Sequence, residues 1–285
     1  MAEKVEIFEV GPRDGLQNEK RLIPTAEKVA LVDLLSQAGF RRIEVASFVS
    51  PKWVSQMADS ADVLAQIRRA PGVRYAALAP NLRGYDGAKA ARADEVAIFA
   101  SASEGFSKAN LNCTIAESIE RFLPILEAAK ADGMPVRGYI SCVSDCPFDG
   151  PTDPNTVARL ARHLADLGCY EISLGDTIGR ATPERITAML RAVLNEVPAA
   201  QLAGHYHDTG GRACDNIAAS LALGLRVFDA AVGGLGGCPY APGAAGNVAT
   251  EAAIDQIEGL GYATGLKREI IAKAGAMAKK MREIQ

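Results

Sequence analysis

Short apolar, β-branched runs alternate along this chain with longer stretches in which apolar residues recur at helical spacing. The short runs have the length and composition of buried strands. Eight strands are predicted in this way, over Val5–Val10, Arg42–Ala46, Arg74–Ala79, Glu95–Ala100, Val136–Cys142, Tyr170–Leu174, Leu202–Tyr206 and Val227–Ala231.

The longer stretches predict amphipathic helices. Two of them begin with residues typical of helix N-termini: Thr114 precedes Glu117 in a capping-box spacing, and Thr182 stands before Pro183. Helices are predicted over Thr25–Ala38, Ser55–Arg69, Asn81–Ala91, Thr114–Ala131, Thr152–Leu167, Pro183–Glu196, Gly211–Leu223 and Asn247–Leu260, with a further one over Leu266–Arg282.

Eight βα units in a chain of this length predict an α/β fold, and specifically a closed (β/α)₈ TIM barrel. A doubly wound open sheet is the rival, because alternating strands and helices fit both architectures. Unusual polar residues recur at the carboxyl ends of the strands, where only a closed barrel would bring them into one mouth. They are Asp14, Glu44, Asn110, Tyr139, Asp176, His205, His207 and Cys238. We therefore expect one catalytic domain over residues 1–285, with residues 266–285 as a C-terminal helical cap.

Composition narrows the functional class. The 285 residues carry a formal net charge of −3, which provides no basic field for nucleic acid. No apolar run is long enough to span a bilayer. The N-terminal residues lead into a strand pattern without the regions of a signal peptide, so we expect a cytoplasmic enzyme. The six cysteines include no C-x-x-C pair, so a zinc ribbon is not expected.

The segment 233–247, GGLGGCPYAPGAAGN, is the richest in glycine. Glycine lets the backbone approach a ligand closely but costs conformational entropy on folding. Cys238 lies in its middle, and we interpret it as a functional thiol rather than a small core residue.

The pair His205 and His207 predicts a metal site, because residues two apart on a strand present both imidazoles on one face. Asp14 would supply a carboxylate and Asn247 an amide oxygen. For Asp14 alone, a Pro-Arg-Asp-Gly turn explains the sequence equally well. Such a ligand set with two open positions suits Mg²⁺ or Mn²⁺, while imidazoles also admit Zn²⁺ or Co²⁺.

Four motifs together resemble the 3-hydroxy-3-methylglutaryl-CoA lyase family: VGPRDGLQNE at residues 10–19, SFVSPKWV at 47–54, HYHDT at 205–209 and GLGGCPYAPG at 234–243. The resemblance runs from Val5 to about Glu258. The shorter elements are shared with a wider superfamily of metal-dependent barrels. The resemblance implies cleavage of 3-hydroxy-3-methylglutaryl-CoA into acetyl-CoA and acetoacetate, and suggests a place in leucine degradation.

The resemblance also implies roles for individual residues. Arg13 would lie beside the reacting carbonyl, and Cys238 would protonate the departing enolate. The metal ligands would be Asp14, His205, His207 and Asn247. Further active-site or supporting polar groups would be Glu44, Tyr139, Asp176 and Glu251. For the proton of the substrate hydroxyl, Asp14, Asp176 and a water on the ion are the candidate acceptors.

The expected partner is a small acyl-CoA substrate, and the chain is compatible with a homo-oligomer. CoA would contact basic and polar residues of the βα loops, for which Lys20, Lys52, Arg137 and Asn110 are the candidates. Three alternatives stay open: a lyase for a longer-chain 3-hydroxyglutaryl-CoA ester, a condensing synthase of the same superfamily, and a non-catalytic metal-binding scaffold.

Overall fold

A computed structural model describes residues 2–237 and 246–283 of the chain. Its main sheet is a closed barrel of parallel strands, which are β1 Glu6–Glu9, β2 Arg42–Ser47, β3 Arg74–Leu78, β4 Glu95–Ser101, β5 Val136–Ser141, β8 Glu171–Asp176, β9 Leu202–Tyr206 and β10 Val227–Ala230. Their order around the barrel is β1-β10-β9-β8-β5-β4-β3-β2. The predicted (β/α)₈ barrel is confirmed, and the open-sheet alternative is excluded.

Helices surround the barrel, and their apolar faces pack on its outer side chains. They are α1 Thr25–Leu35, α2 Ser60–Gln66, α3 Leu82–Ala90, α4 Glu104–Leu111, α5 Ile115–Asp132, α6 Pro154–Asp166, α7 Pro183–Leu194, α8 Ala213–Ala222, α9 Thr250–Gly259 and α10 Arg268–Arg282. The capping box of Thr114 and Glu117 opens α5, and the Thr182 side chain accepts from the Arg185 amide at the start of α7.

The described ranges depart from the predicted elements in several places. The helix predicted over Ser55–Arg69 is a 3₁₀ turn at Ser55–Met57 followed by the shorter helix α2. Helix α4 lies where a loop was expected. A small antiparallel hairpin follows β5, and its two strands, β6 Asp145–Cys146 and β7 Gly150–Pro151, have two residues each. The helix predicted from Asn247 begins only at Thr250, because residues 246–248 are extended and pair with the end of β9. This last difference matters for the site, since it turns Asn247 towards the barrel mouth.

Charged side chains occupy the barrel interior below the mouth. Arg137 is 0% exposed and donates to Glu171 Oε1 at 2.7 Å and to both carboxylate oxygens of Asp229. Its guanidinium lies 4.5 Å from the centre of the Phe8 ring. Arg42 also pairs with Glu171. Breaking a buried pair of this kind by removing one partner costs about 3–5 kcal/mol.

The last residue of helix α10, Arg282, contacts the turn after β10 at the start of the glycine-rich segment. Arg282 donates to the carbonyl of Gly234 at 2.7 Å and pairs with Glu19 at 2.8 Å. The predicted C-terminal helix therefore contacts the loops that follow β1 and β10. Among the described residues, no helix combines the length and apolar composition needed to cross a bilayer.

Candidate metal centre

Strand β9 carries the two histidines to the carboxyl end of the barrel. His205 lies within the strand and His207 immediately after it, and their Nε2 atoms are 3.3 Å apart. Both side chains are buried. The expectation that this i, i+2 pair shares one face is confirmed.

Asp14 reaches the same point from the opposite end of the chain. After β1, residues Gly11–Gly15 form one short π-helical turn, which places Asp14 Oδ2 3.9 Å from His205 Nε2. One ligand atom from each of Asp14, His205 and His207 lies within 4.8 Å of the others. The Asp14 carboxylate therefore belongs to the candidate metal site as well as to the turn after β1.

Asn247 completes the cluster through the extended segment that precedes α9. It forms a β-bridge with His207, and its Nδ2 donates to Asp14 Oδ2 at 2.8 Å. Its Oδ1 is buried without a hydrogen-bond partner among the described residues. A buried amide oxygen in this state costs free energy unless something binds it, and the same amide group contacts the candidate ligand Asp14 through its Nδ2.

These residues fit a divalent cation. Bonds of about 2.0–2.2 Å place two ligand atoms at most about 4.4 Å apart, and the 3.3 Å and 3.9 Å separations lie within that limit. Burial alone would raise the pKa of Asp14, but the charges of Arg13, His205 and His207 and the hydrogen bond from Asn247 together outweigh it and lower that pKa to about 2. Burial, then the charge of His205, lowers the pKa of His207 to about 4. One anion and one neutral imidazole are therefore available at pH 7.

A second group of side chains adjoins the cluster. Arg13 donates from Nε to Glu44 Oε2 at 2.6 Å and from Nη1 to Asp14 Oδ1 at 2.7 Å. The Tyr139 hydroxyl donates to the same Glu44 oxygen at 3.2 Å, and the Tyr139 ring meets His205 edge-on. Burial raises the pKa of Glu44, which the charge of Arg13 only partly opposes. Arg13 is thereby fixed beside the metal ligands.

The structure corrects the assignment of Arg137 to CoA. This side chain is fully buried and engaged by Asp229 and Glu171 inside the barrel, so no phosphate can reach it. The three other candidates, Lys20, Lys52 and Asn110, are exposed, the first two in the loops after β1 and β2 and the third on α4.

Asp176 is not brought to the cluster by any described contact. A Cβ built on the preceding Gly175 would lie 3.7 Å from His205 Cδ2, so alternation along β8 turns Asp176 to the outer face. Its Oδ2 accepts from the Ala181 amide at 2.9 Å. Burial raises its pKa to about 6, partly offset by backbone hydrogen bonds. A catalytic role for Asp176 stays a prediction.

Replacing this carboxyl with an amide, Asp176→Asn, is expected to stabilise the fold at neutral pH. Because the folded pKa exceeds the unfolded value of 3.8, the wild-type protein loses stability as pH rises from about 4 through 6. The gain in the free energy of unfolding should approach about 3 kcal/mol above pH 7 and vanish near pH 3.5. Urea unfolding at both pH values measures it. Asp166→Asn, on the exposed face of α6, is the control; an equal gain there would contradict the assignment.

Glu251 lies behind the cluster at the start of α9. It accepts from the Gly233 amide at 3.0 Å, so it holds the turn after β10 and does not touch the metal ligands in any described contact. Cys238 lies outside the described residues. Its role stays a prediction from sequence.

Two acidic residues of the site were missed by the sequence reasoning. Asp229 of β10 contacts His205 Nδ1 at 3.1 Å. Glu9 of β1 accepts from the amides of Gly11 and Val232, both at 2.9 Å, and so ties the Asp14 turn to the turn after β10. Burial raises the pKa of Glu9 to about 7. The available signal was an ionisable residue inside a strand that must be buried on both faces.

Comparison with known proteins agrees with this geometry. The family model described as HMGL-like matches residues 4–277. A Pseudomonas aeruginosa protein named 3-hydroxy-3-isohexenylglutaryl-CoA/hydroxy-methylglutaryl-CoA lyase is 57% identical over 275 residues, which are 96% of this chain and 92% of that one. The crystal structure of the HMG-CoA lyase from Brucella melitensis is 61% identical with a TM-score of 0.97, covering 99% of both chains.

A third relative, an HMG-CoA lyase from Acinetobacter baumannii in complex with coenzyme A and 3-methylmalate, is 36% identical with a TM-score of 0.93. It matches 98% of this chain and 91% of its own. Fold and site together define a (β/α)₈ barrel enzyme with a candidate divalent-metal centre at its mouth. Within that class, the chain belongs to the HMGL-like family.

Proposed function

We propose that this protein is a divalent-metal-dependent carbon–carbon lyase that cleaves 3-hydroxy-3-methylglutaryl-CoA into acetyl-CoA and acetoacetate. The observation that carries the proposal is the convergence of Asp14, His205 and His207, whose ligand atoms lie within 4.8 Å of one another, with Arg13 bonded to Asp14. Relatives that match nearly the whole chain bear the name of this activity.

The reaction is a retro-aldol cleavage. A base takes the proton of the tertiary hydroxyl, the bond between the hydroxyl carbon and the thioester α-carbon breaks, and its electron pair forms the enolate of acetyl-CoA. The hydroxyl carbon becomes the ketone of acetoacetate. Asp14, His205, His207 and Asn247 would hold Mg²⁺ or Mn²⁺, which would lower the pKa of the hydroxyl and fix the substrate's position.

Arg13 supplies the charge that the enolate needs. Its guanidinium is always protonated, and its contacts with Glu44 and Asp14 hold it in a fixed orientation before substrate arrives. Positive charge placed in advance where negative charge develops is the largest single contribution in many enzymes. Cys238 would then deliver a proton to the enolate carbon, which completes acetyl-CoA.

Coenzyme A would lie across the barrel mouth, with Lys20, Lys52 and Asn110 as the exposed groups of the βα loops that could contact it. The relative from Acinetobacter baumannii was solved with coenzyme A, which supports a CoA ester as substrate. A cytoplasmic location, a role in leucine degradation and a homo-oligomeric assembly stay predictions.

Removal of the metal is expected to abolish activity. The purified protein, treated with EDTA and dialysed, should release acetoacetate from 3-hydroxy-3-methylglutaryl-CoA at least about 100-fold more slowly, because the substrate hydroxyl then keeps its high pKa. Added Mn²⁺ or Mg²⁺ should restore the rate. Full activity without metal would contradict the mechanism. Metal binding without acetoacetate release would favour the non-catalytic scaffold. Formation of a condensation product from acetyl-CoA and an oxo acid would favour the synthase.

A longer-chain substrate is the second candidate. It rests on the Pseudomonas aeruginosa relative, whose name includes 3-hydroxy-3-isohexenylglutaryl-CoA as well as the methyl compound. We expect the methyl substrate to give the higher kcat/KM. Measuring kcat/KM for both esters separates the two proposals, and a preference for the isohexenyl ester would reverse their order.

A further inference from the structure

Asp229 forms a buried contact with one of the proposed metal ligands. Its Oδ2 lies 3.1 Å from His205 Nδ1, on the side of the imidazole opposite the cluster. The other ring nitrogen, Nε2, faces His207 and Asp14. The two nitrogens of His205 therefore have different surroundings, one inside the barrel and one at the candidate centre.

The environment of Asp229 determines what it can do. Arg137 donates to both of its oxygens, at 2.7 and 3.0 Å, and the Ser173 hydroxyl donates to Oδ2 at 2.8 Å. A carboxylate held by a guanidinium fork and a hydroxyl stays ionised and can only accept hydrogen bonds. The proton between Asp229 and His205 therefore belongs to Nδ1 of the imidazole.

Arg137 is itself fixed from behind. Glu171 accepts from its Nε at 2.7 Å, and the Phe8 and Tyr139 rings lie 4.5 and 4.9 Å from its guanidinium carbon. A continuous row of buried polar contacts thus runs from Glu171 through Arg137 and Asp229 to His205. Each member limits the orientation of the next.

We infer that Asp229 is a positioning residue that, held by Arg137 and Ser173, fixes His205 with its proton on Nδ1 and its Nε2 directed at the metal. A histidine ligand with such a carboxylate partner keeps its ring orientation and is a stronger donor. The inference rests on the proposed metal site and assigns a function to the charges inside this barrel, which packing alone does not require.

The first test measures metal affinity. Asp229→Asn should weaken Mn²⁺ binding, followed by titration calorimetry, by about 10- to 100-fold. Glu95→Gln is the matched control: Glu95 is also 0% exposed inside the barrel and accepts from the Tyr170 hydroxyl, but it has no described contact with a proposed ligand. A general loss of stability would lower Mn²⁺ affinity in both variants. If Asp229 acts through His205, Glu95→Gln should keep the wild-type affinity. A folded Asp229→Asn protein with wild-type Mn²⁺ affinity would overturn the inference.

The second test needs no substitution at Asp229. The chain has three histidines, so ring ¹⁵N spectra of the wild-type protein with bound Zn²⁺ can be assigned, with His163→Gln removing the signal of the exposed one. A proton on Nδ1 of His205 is the expected result, and a proton on Nε2 would refute the inference. If the wild-type protein binds Mn²⁺ but releases no acetoacetate, the lyase proposal fails while both tests of Asp229 still apply.

Discussion

Replacing Arg13 with methionine is expected to lower kcat for cleavage of 3-hydroxy-3-methylglutaryl-CoA by about 10³-fold, the upper end for losing one preorganised donor to a developing negative charge. Arg13 is nearly fully buried, and Glu44 and Asp14 hold its guanidinium at the edge of the ligand cluster. Methionine keeps much of the apolar stem but brings no charge, so the enolate loses its counter-ion.

Arg13→Lys separates charge from geometry. Lysine restores the positive charge but not the fork that pairs with Glu44 and Asp14 together, so we expect activity between those of Arg13→Met and the wild-type protein. Mn²⁺ affinity should not fall in either variant, because neither substitution adds positive charge beside the ion. Steady-state kinetics with circular dichroism as a check on folding measures both effects. Near-wild-type kcat in Arg13→Met would remove Arg13 from the mechanism.

Cys238→Ser is expected to reduce kcat by about 10²- to 10⁴-fold, the range for loss of a positioned general acid. A serine hydroxyl is a much weaker acid than a thiol of similar size, so proton delivery to the enolate carbon should become slow. Mn²⁺ affinity should stay at the wild-type value, because no thiol is needed among the proposed ligands. Acetyl-CoA release and calorimetry measure the two quantities.

The matched control is Cys214→Ser on α8, a half-buried thiol away from the proposed ligands, which should leave kcat unchanged. His205→Asn should differ from Cys238→Ser in its metal binding, because it should lower Mn²⁺ affinity as well as kcat. Unchanged turnover in Cys238→Ser would show that another group protonates the enolate.

The barrel was predictable because each of its strands is encoded by a short local run of apolar and β-branched residues. All eight predicted strands occur, to within two residues at each end. Helix α4 was missed because its sequence, EGFSKANL, carries a glycine and few apolar residues. Its Ser103 cap accepts from the Phe106 amide, and this local bond compensates for the weak pattern.

The metal ligands were predictable from residue type, but their geometry was not. His205 and His207 occupy alternate positions of one strand, which sequence displays directly. Asn247 reaches the site only because residues 246–248 pair with the end of β9 instead of starting a helix. That pairing is a contact across 40 positions, from His207 to Asn247, and no local propensity encodes it.

Arg137 shows the limit most clearly. Arg137 is the second residue of the predicted strand Val136–Cys142, and an arginine so near the end of a strand looks like an exposed cation. Burial of arginine is rare unless the side chain is paired. Its partners Glu171 and Asp229 lie 34 and 92 positions away along the chain. Its place inside a strand was a signal of burial, but only the closed barrel brings these charges together, so the sequence could not show which acidic residues Arg137 pairs with.

The paired charges inside the barrel also constrain how this chain can diverge. Glu171 pairs with both Arg42 and Arg137, so losing it alone would leave two buried arginines each short of an acidic partner, and the first step of any exchange is severely penalised. We therefore expect evolutionary drift to accumulate on the outer faces of the helices. Homologous chains should either keep such a pair or replace both members together.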